Sequence, residues 1–159
     1  YTEIRSWIIN GEVDFGFINS QAAAGLEIAP IYSDKMVAVL PMSHHLANHT
    51  EVSLSELEND PLILLDEGEY SLPLNSFKEN GLHPKVEYKI YDELTILAMI
   101  QQNIGISLMY KMAIQGYDQN VAVLEVPSIP ERQVAIAYTK KDSLSMATKT
   151  FIKFIQSNL

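Results

Sequence analysis

The sequence predicts an α/β fold built from two lobes. Strand-like apolar runs alternate with helix-like segments along the chain, which is the pattern of an α/β protein with largely parallel sheets. Two similar connections, Glu27–Val39 and Glu125–Ala137, each lead from one strand through a proline and a charged break into another strand. They predict a chain that crosses twice between lobes, with residues 1–32 plus 133–159 in lobe I and residues 33–132 in lobe II. A hydrophobic content of 47% in 159 residues is enough for a sizeable core.

Apolar spacing and turn residues place the elements in the first half of the chain. Ile4, Trp7 and Ile8 repeat at helical spacing, and Gly11 ends that helix. Ser53 and Glu56 form a capping box, which predicts the start of a short helix. Three apolar runs before it have the length and content of strands: 13–18, 26–32 and 35–40.

Helix caps mark the second half of the chain. Ser71 and Pro73 open a helix that ends at Gly81, and Asp92 with Glu93 suits the start of the next helix. A final helix carries its apolar residues on one side. The predicted strands here are 62–65, 86–90, 104–109, 121–126 and 134–138. Five aromatic residues are expected in the core: Trp7, Phe15, Phe17, Phe151 and Phe154.

Composition limits the classes of function. The net charge of −9 repels phosphate backbones, so this segment is not expected to bind nucleic acid itself. The lack of cysteine excludes disulfides, thiolate zinc sites and a cysteine nucleophile. The longest apolar runs, such as Met36–Leu40, are too short to cross a bilayer, so no membrane partner is expected.

Catalytic motifs are weak in this sequence. Ser20, Ser71 and Ser107 would each need a base to act as a nucleophile, and nothing in the sequence ties a histidine to any of them. Asp92 and Glu93 are open to two interpretations, a carboxylate dyad or a charged helix start, and the second is favoured. Phosphate-binding loops, nucleophile elbows and H-E-x-x-H motifs are absent from the sequence.

One segment, G-E-V-D-F-G-F at Gly11–Phe17, resembles the G-E-L-D-x-x-I element of LysR-type transcriptional regulators. Further segments resemble the effector-binding domain of that family in the same order along nearly the whole chain: 25–41, 53–65, 81–87, 101–109, 134–141 and 151–155. The resemblance implies a type 2 periplasmic-binding-protein fold, in which two Rossmann-like lobes with mixed, mostly parallel sheets are joined by two crossover segments.

The resemblance also implies a function. Such a domain binds a small-molecule effector between its lobes and thereby controls the conformation of a DNA-bound homodimer or tetramer in the bacterial cytoplasm. It is not an enzyme and needs no cofactor or metal. DNA would be contacted only through an N-terminal helix-turn-helix outside this chain, and the first strand, helix and strand of lobe I would also lie outside it. Two alternatives stay open: a solute-binding protein of a transporter, and a metal-dependent enzyme.

Candidate effector contacts follow from the rule that ligands of open α/β sheets bind beyond the carboxyl ends of strands, near helix N-termini. Asn19 and Ser71 are expected as polar contacts, Tyr70 as an aromatic wall, and the backbone N–H groups of 68–71 as anion-binding donors. The resemblance adds the crossover at Ser33 and the residues Gly105 and Ile106 in the predicted strand 104–109. The full predicted set is Asn19, Ser20, Ser33, Gly68, Glu69, Tyr70, Ser71, Asp92, Glu93, Gly105 and Ile106.

A histidine-rich stretch raises the alternative of a metal site. His44, His45 and His49 lie within six positions, but Pro41 and Asn48 favour a loop over a helix that would align them. In the family that the sequence resembles, a loop reading roughly P-x-x-H-P-L occupies this position. A surface loop is therefore the favoured interpretation, since a zinc site needs three or four convergent ligands.

Overall fold

The computed structural model describes residues 2–66, 68 and 71–158 and divides the chain into two compact units. Unit 1 comprises residues 1–34 and 131–159, and unit 2 comprises residues 35–130. The strands are β1 Phe15–Asn19, β2 Glu27–Asp34, β3 Met36–Pro41, β4 Leu62–Leu65, β5 Val86–Ile90, β6 Ser107–Tyr110, β7 Val121–Glu125 and β8 Arg132–Tyr138. The α-helices are α1 Thr2–Ile9, α2 Leu54–Leu57, α3 Leu72–Glu79, α4 Glu93–Gln101, α5 Lys111–Ile114 and α6 Met146–Ser157.

Unit 1 is a three-stranded antiparallel sheet with a helix on each face. Strand β8 lies in the middle, between β1 and β2. On one face Ile8 of α1 packs in a cluster with Ile18 of β1. On the other face Ile152 of α6 packs in a cluster with Ile136 of β8. Because neighbouring strand residues point to opposite faces, β8 serves both helices at once.

Unit 2 is organised around β3, whose six residues are all buried. Ala38 and Leu40 belong to a core cluster with Leu57 of α2 and Phe77 of α3. The alternate residues Val37 and Val39 belong to a second cluster, with helix residues of α4 and α5: Ile96, Ile100 and Ile114. The apolar run in the sequence is therefore a strand covered by helices on both faces, as a continuous rather than alternating hydrophobic pattern indicates.

The strand pairing differs from the expected mostly parallel sheets. Strands β6 and β7 both pair with β3 in antiparallel fashion, whereas β4 and β5 pair in parallel. A parallel bridge between Leu62 and Ile106 joins these two groups. Antiparallel pairs prevail because β3 and β8, the central strands of the two units, each run opposite to both of their neighbours. The α/β class is confirmed, and its sheets are mixed.

Four of the five aromatic residues expected in the core lie at the surface, so that expectation was wrong. Trp7, Phe17, Phe151 and Phe154 are 42%, 45%, 39% and 63% exposed. In α1 and α6 the inward positions belong to Ile8, Ile152 and their helical neighbours. An adjacent helix residue is rotated by about 100° from the inward position, which turns Trp7, Phe151 and Phe154 away from the sheet. Phe17 lies in β1, where it is an exposed residue on the same strand face as Phe15.

A buried ion pair closes one end of the sheet in unit 1. Asp34 ends β2 and Arg132 begins β8, and the two residues are partners across the strands. The Arg132 guanidinium donates to Asp34 Oδ2 over 2.9 Å, and the exposed fractions of the two side chains are 13% and 0%. A carboxylate this deeply buried depends on its charged partner, because an uncompensated charge in the interior is costly.

We expect Arg132→Met to lower the free energy of unfolding by about 3–5 kcal/mol, because it leaves the buried Asp34 carboxylate without the guanidinium. Urea unfolding followed by circular dichroism would measure this loss. The matched control is Lys85→Met, which removes an exposed ion pair with Glu87 and should cost less than about 1 kcal/mol. Equal small losses in both variants would contradict a stabilising role for the buried pair.

Candidate functional site

In unit 1 the predicted contacts lie at one edge of the sheet. Strands β1 and β2 both run antiparallel to β8, so their carboxyl ends lie at the same edge, and Val134 of β8 pairs with Asn19 on one side and Tyr32 on the other. Ser33 follows Tyr32 at this end of β2. With a strand spacing of about 4.8 Å, the backbones of Asn19 and Ser33 are roughly 10 Å apart.

Asn19 is fixed in position by a cap. Its side chain is buried, and Oδ1 accepts a hydrogen bond of 3.1 Å from the backbone N–H of Gln21. This bond caps the 3₁₀ turn Ser20–Ala22, in which Ser20 is half-buried. A buried, hydrogen-bonded amide has one defined orientation, so Asn19 is suited to precise recognition of a ligand.

In unit 2 the parallel strands β4 and β5 end side by side. The backbone N–H of Asp66 donates to Ile90 over 2.8 Å, which aligns the residues that follow the two strands. Asp66 Oδ1 accepts from the N–H of Gly68 over 3.1 Å. Gly68 has a φ of +95°, a conformation that favours glycine in this tight turn.

Ser71 caps the helix that follows this turn. Its Oγ accepts a hydrogen bond of 3.4 Å from the N–H of Leu74 in the first turn of α3, and the side chain is half-buried. The start of α3 follows the carboxyl end of β4 along the chain, and the helix dipole favours an acceptor group at such a start. The predicted contacts Glu69 and Tyr70 lie outside the described residues.

Asp92 caps α4 beyond the end of β5. Its carboxylate accepts from the hydroxyl of Thr95 over 2.6 Å and from the backbone N–H of Thr95 over 2.7 Å. These bonds, the one from the side chain first, lower the pKa of Asp92 below its ordinary value of 3.8. Asp92 is therefore an ionised helix cap, and Glu93 lies half-buried in the first turn. No catalytic dyad is needed to explain this pair.

Gly105 and Ile106 are not placed with the other predicted contacts of unit 2. They precede β6 and bond to the segment that precedes β4, with the N–H of Ile106 donating to Pro61 over 2.9 Å. This is the end of β4 opposite to Asp66, roughly 16 Å away at 3.3 Å per residue. A Cβ on Gly105 would overlap the carbonyl oxygen of Pro61. The glycine therefore permits a close approach of two backbones.

The histidine stretch forms a loop of successive turns after β3. The ring of His44 stacks on that of His45 with centroids 4.4 Å apart, and its Nε2 lies 3.3 Å from Asp60 Oδ2. Within the described ranges, no three histidine, aspartate or glutamate side chains are placed to hold a metal ion. Nor does any helix of the described part combine the length and apolar content that a membrane crossing needs.

Sequence reasoning did not identify the Asp34–Arg132 pair beside Ser33 or the hydrogen bond from Gly68 to Asp66. The signal for the pair was present, since both residues lie in the charged breaks of the two similar connections. A charged break is usually a solvated turn, and only the cross-strand register shows that these two charges meet in the interior. Asp66 resembles any acidic residue after a strand until its bond to Gly68 is known.

We expect Gly105→Ala to lower the free energy of unfolding by about 1–3 kcal/mol, because the added methyl group forces two backbone segments apart. Chemical unfolding would measure the loss. Ser128→Ala is the control, because it removes one oxygen atom from an exposed side chain and should change the free energy of unfolding by less than about 0.5 kcal/mol. Equally small changes in both variants would contradict this account.

We expect the stabilising effect of Asp92 to depend on pH with a defined sign. Because its pKa is lowered in the folded chain, the contribution is fully present above the ordinary value of 3.8 and is lost as the pH falls through the lower folded value. Asp92→Asn keeps a good helix cap but cannot titrate. Urea midpoints at about pH 6 and pH 3 should therefore differ less in the variant than in the wild type, and equal differences would contradict the assignment.

Comparison with known proteins identifies the family to which this sequence is related. The sequence model of the LysR substrate binding domain matches residues 1–159. The malolactic fermentation system transcriptional activator of Lactococcus lactis is 30% identical over 168 residues, which cover 98% of this chain and 56% of that protein. The uncharacterised HTH-type transcriptional regulator YvbU of Bacillus subtilis is 28% identical over 155 residues, covering 95% of this chain and 52% of that protein.

The fold is shared with solved structures. The effector binding domain of QuiR in complex with shikimate has a TM-score of 0.85 and 22% identity, and the match covers 99% of this chain and 77% of that one. This likeness confirms the type 2 periplasmic-binding-protein-like α/β fold. The chain spans about half the length of the curated relatives named above. Its match along all 159 residues shows that the chain belongs to the LysR substrate-binding domain family.

Proposed function

We propose that this chain is the effector-sensing part of a bacterial LysR-type transcriptional regulator. The observation that carries the proposal is the match of the substrate-binding domain family along the whole chain. The curated relatives are named as transcriptional regulators and activators. On this proposal the chain binds a small metabolite, catalyses no reaction, and influences DNA through a DNA-binding part elsewhere in a cytoplasmic homodimer or tetramer.

The placement of polar groups supports ligand binding. Each unit has polar side chains at the carboxyl ends of strands that run in the same direction: Asn19, Ser20 and Ser33 in unit 1, and Ser71 with Asp92 in unit 2. This is the position at which ligands bind in α/β sheets. We propose these residues as effector contacts, together with the turn at Gly68, and we omit Gly105 and Ile106 because they lie at the other end of β4.

The charges near these contacts restrict the effector. Asp66 and Asp92 lie at the ends of β4 and β5, Glu93 lies in the first turn of α4, and Glu67 and Glu69 are close in sequence. Like charges repel, so a multiply charged anion would be disfavoured at the start of α3 despite the favourable helix dipole. We therefore expect a neutral, singly charged or amino-bearing metabolite.

The regulatory step needs no chemistry on the effector. A ligand shifts a conformational equilibrium only by its difference in affinity for the two states. The effector must therefore contact groups whose arrangement differs between the active and inactive states of the regulator. The alternatives, a transporter component and a metal-dependent enzyme, have no specific observation in their favour among the described residues.

We expect one or a few small metabolites to raise the thermal unfolding midpoint of the purified chain. A ligand present at about 100 times its Kd stabilises a protein by about 2.7 kcal/mol, which thermal unfolding detects. The panel should contain carboxylic acids, neutral polyols and amino compounds, each measured with and without a chelator. A shift produced only by a divalent metal and removed by chelator would contradict the sensor proposal.

A matched pair of cap variants separates a ligand contact from a helix cap. Ser71 caps α3 and Ser145 caps α6, each by accepting a backbone N–H bond, so Ser71→Ala and Ser145→Ala should each destabilise the free chain by about 1 kcal/mol. Only Ser71→Ala should weaken the shift caused by the effector. Equal ligand shifts in both variants would remove Ser71 from the proposed site.

A further inference from the structure

The histidine loop after β3 holds one imidazole between two different partners. The backbone N–H of Leu46 donates to Nδ1 of His44 over 3.3 Å. A neutral imidazole that accepts at Nδ1 carries its proton on Nε2. The contact with Leu46 therefore fits the tautomer with the proton on Nε2, which leaves no lone pair on Nε2 for a metal.

The second partner is Asp60, in the connection between α2 and β4. His44 Nε2 lies 3.3 Å from Asp60 Oδ2, and the side chains are 12% and 24% exposed. The atom Oδ2 is buried and makes no hydrogen bond of good geometry among the described residues. A buried carboxylate oxygen in this state would gain from a charged donor nearby.

The surroundings of the ring contain few other ionisable groups. His44 lines a surface depression of about 360 Å³ together with His45 and Asp60. The segment before β6 contributes Asn103 and Ile104 to the same depression, and neither of these titrates. Asp60 and the stacked ring of His45 are thus the titratable groups of the described residues that face His44 there.

We propose that His44 is an acid-responsive latch that exchanges Leu46 for Asp60 when it becomes protonated. Protonation places a second N–H on Nδ1, where it faces the N–H of Leu46 and can no longer accept its hydrogen bond. The same proton gives the ring a positive charge, which strengthens its attraction to Asp60. Protonation therefore weakens the contact with Leu46 and strengthens the contact with Asp60, so the two protonation states favour two arrangements of the loop.

The exchange has a structural consequence because Leu46 is part of the core. Leu46 is 5% exposed and belongs to the cluster that packs on β3. The turn formed by His44, His45 and Leu46 loses one of its hydrogen bonds when His44 is protonated. The latch lies in unit 2 at the carboxyl end of β3 and does not depend on the proposed effector contacts.

Hydrogen exchange and imidazole nitrogen shifts of the isotopically labelled chain would test the latch. Histidine changes its charge between about pH 5 and pH 8, so the two states are compared at about pH 7.5 and pH 5.5. The protection factor of the Leu46 amide is expected to fall about fivefold in acid, which corresponds to the roughly 1 kcal/mol of one hydrogen bond. Near pH 7.5 the nitrogen shifts should show Nδ1 unprotonated and Nε2 protonated.

Two variants make the result specific. His44→Asn keeps an uncharged acceptor near the position of Nδ1, so Leu46 protection should become insensitive to pH. His83→Asn is the matched control, because His83 is exposed and is not among the residues that line the depression beside His44, and it should respond like the wild type. A proton on Nδ1 at neutral pH, a Leu46 amide that is insensitive to pH in the wild type, or an unchanged response in His44→Asn would each overturn the proposal.

Discussion

The burial of β3 on both faces is the constraint on which unit 2 depends. All six of its residues are buried, and alternate side chains belong to two separate helix-covered clusters. The side-chain period of a strand is two residues. A shift of β3 by one position would therefore turn each of its side chains toward the wrong cluster of helices. The register of β6 and β7 on β3 therefore fixes where α2 to α5 pack, and with them the capped helix starts.

Ion pairs lie near the points where the chain passes from one unit to the other, and the burial of each pair determines how much it contributes to stability. Asp34 is fully buried against Arg132, so this pair contributes to the integrity of unit 1. In unit 2, Glu125 receives Lys111 at 2.9 Å and Lys35 at 4.0 Å, but all three side chains are about half exposed. The hydrogen bond from Lys111 lowers the pKa of Glu125, although screening by water keeps the energetic value of such pairs small.

Local patterns predicted the elements well, because each depends on residues close in sequence. The capping box at Ser53, the cap at Ser71 and the cap at Asp92 all have the expected helices after them. The exposure of a side chain and its position in a binding site depend on residues that are distant in sequence, so local patterns did not predict them. Phe17 and Phe154 are large aromatic residues of the kind expected in a core, but their side chains are 45% and 63% exposed. Gly105 lies in a family motif, yet its environment is the backbone at Pro61.

Several proposed effector contacts already act as caps, and this double role restricts how they can meet a ligand. Asn19 uses only its oxygen to accept from Gln21, so its NH₂ group remains a donor in a fixed orientation. The Ser71 hydroxyl accepts from Leu74 through one lone pair and keeps its proton. Asp92, by contrast, is held ionised and only accepts. A ligand at the unit 1 position must therefore offer an acceptor to Asn19. A ligand at the unit 2 position must offer an acceptor to Ser71 and a donor to Asp92, a combination that a hydroxylated or amino-bearing metabolite provides and a bare polyanion does not.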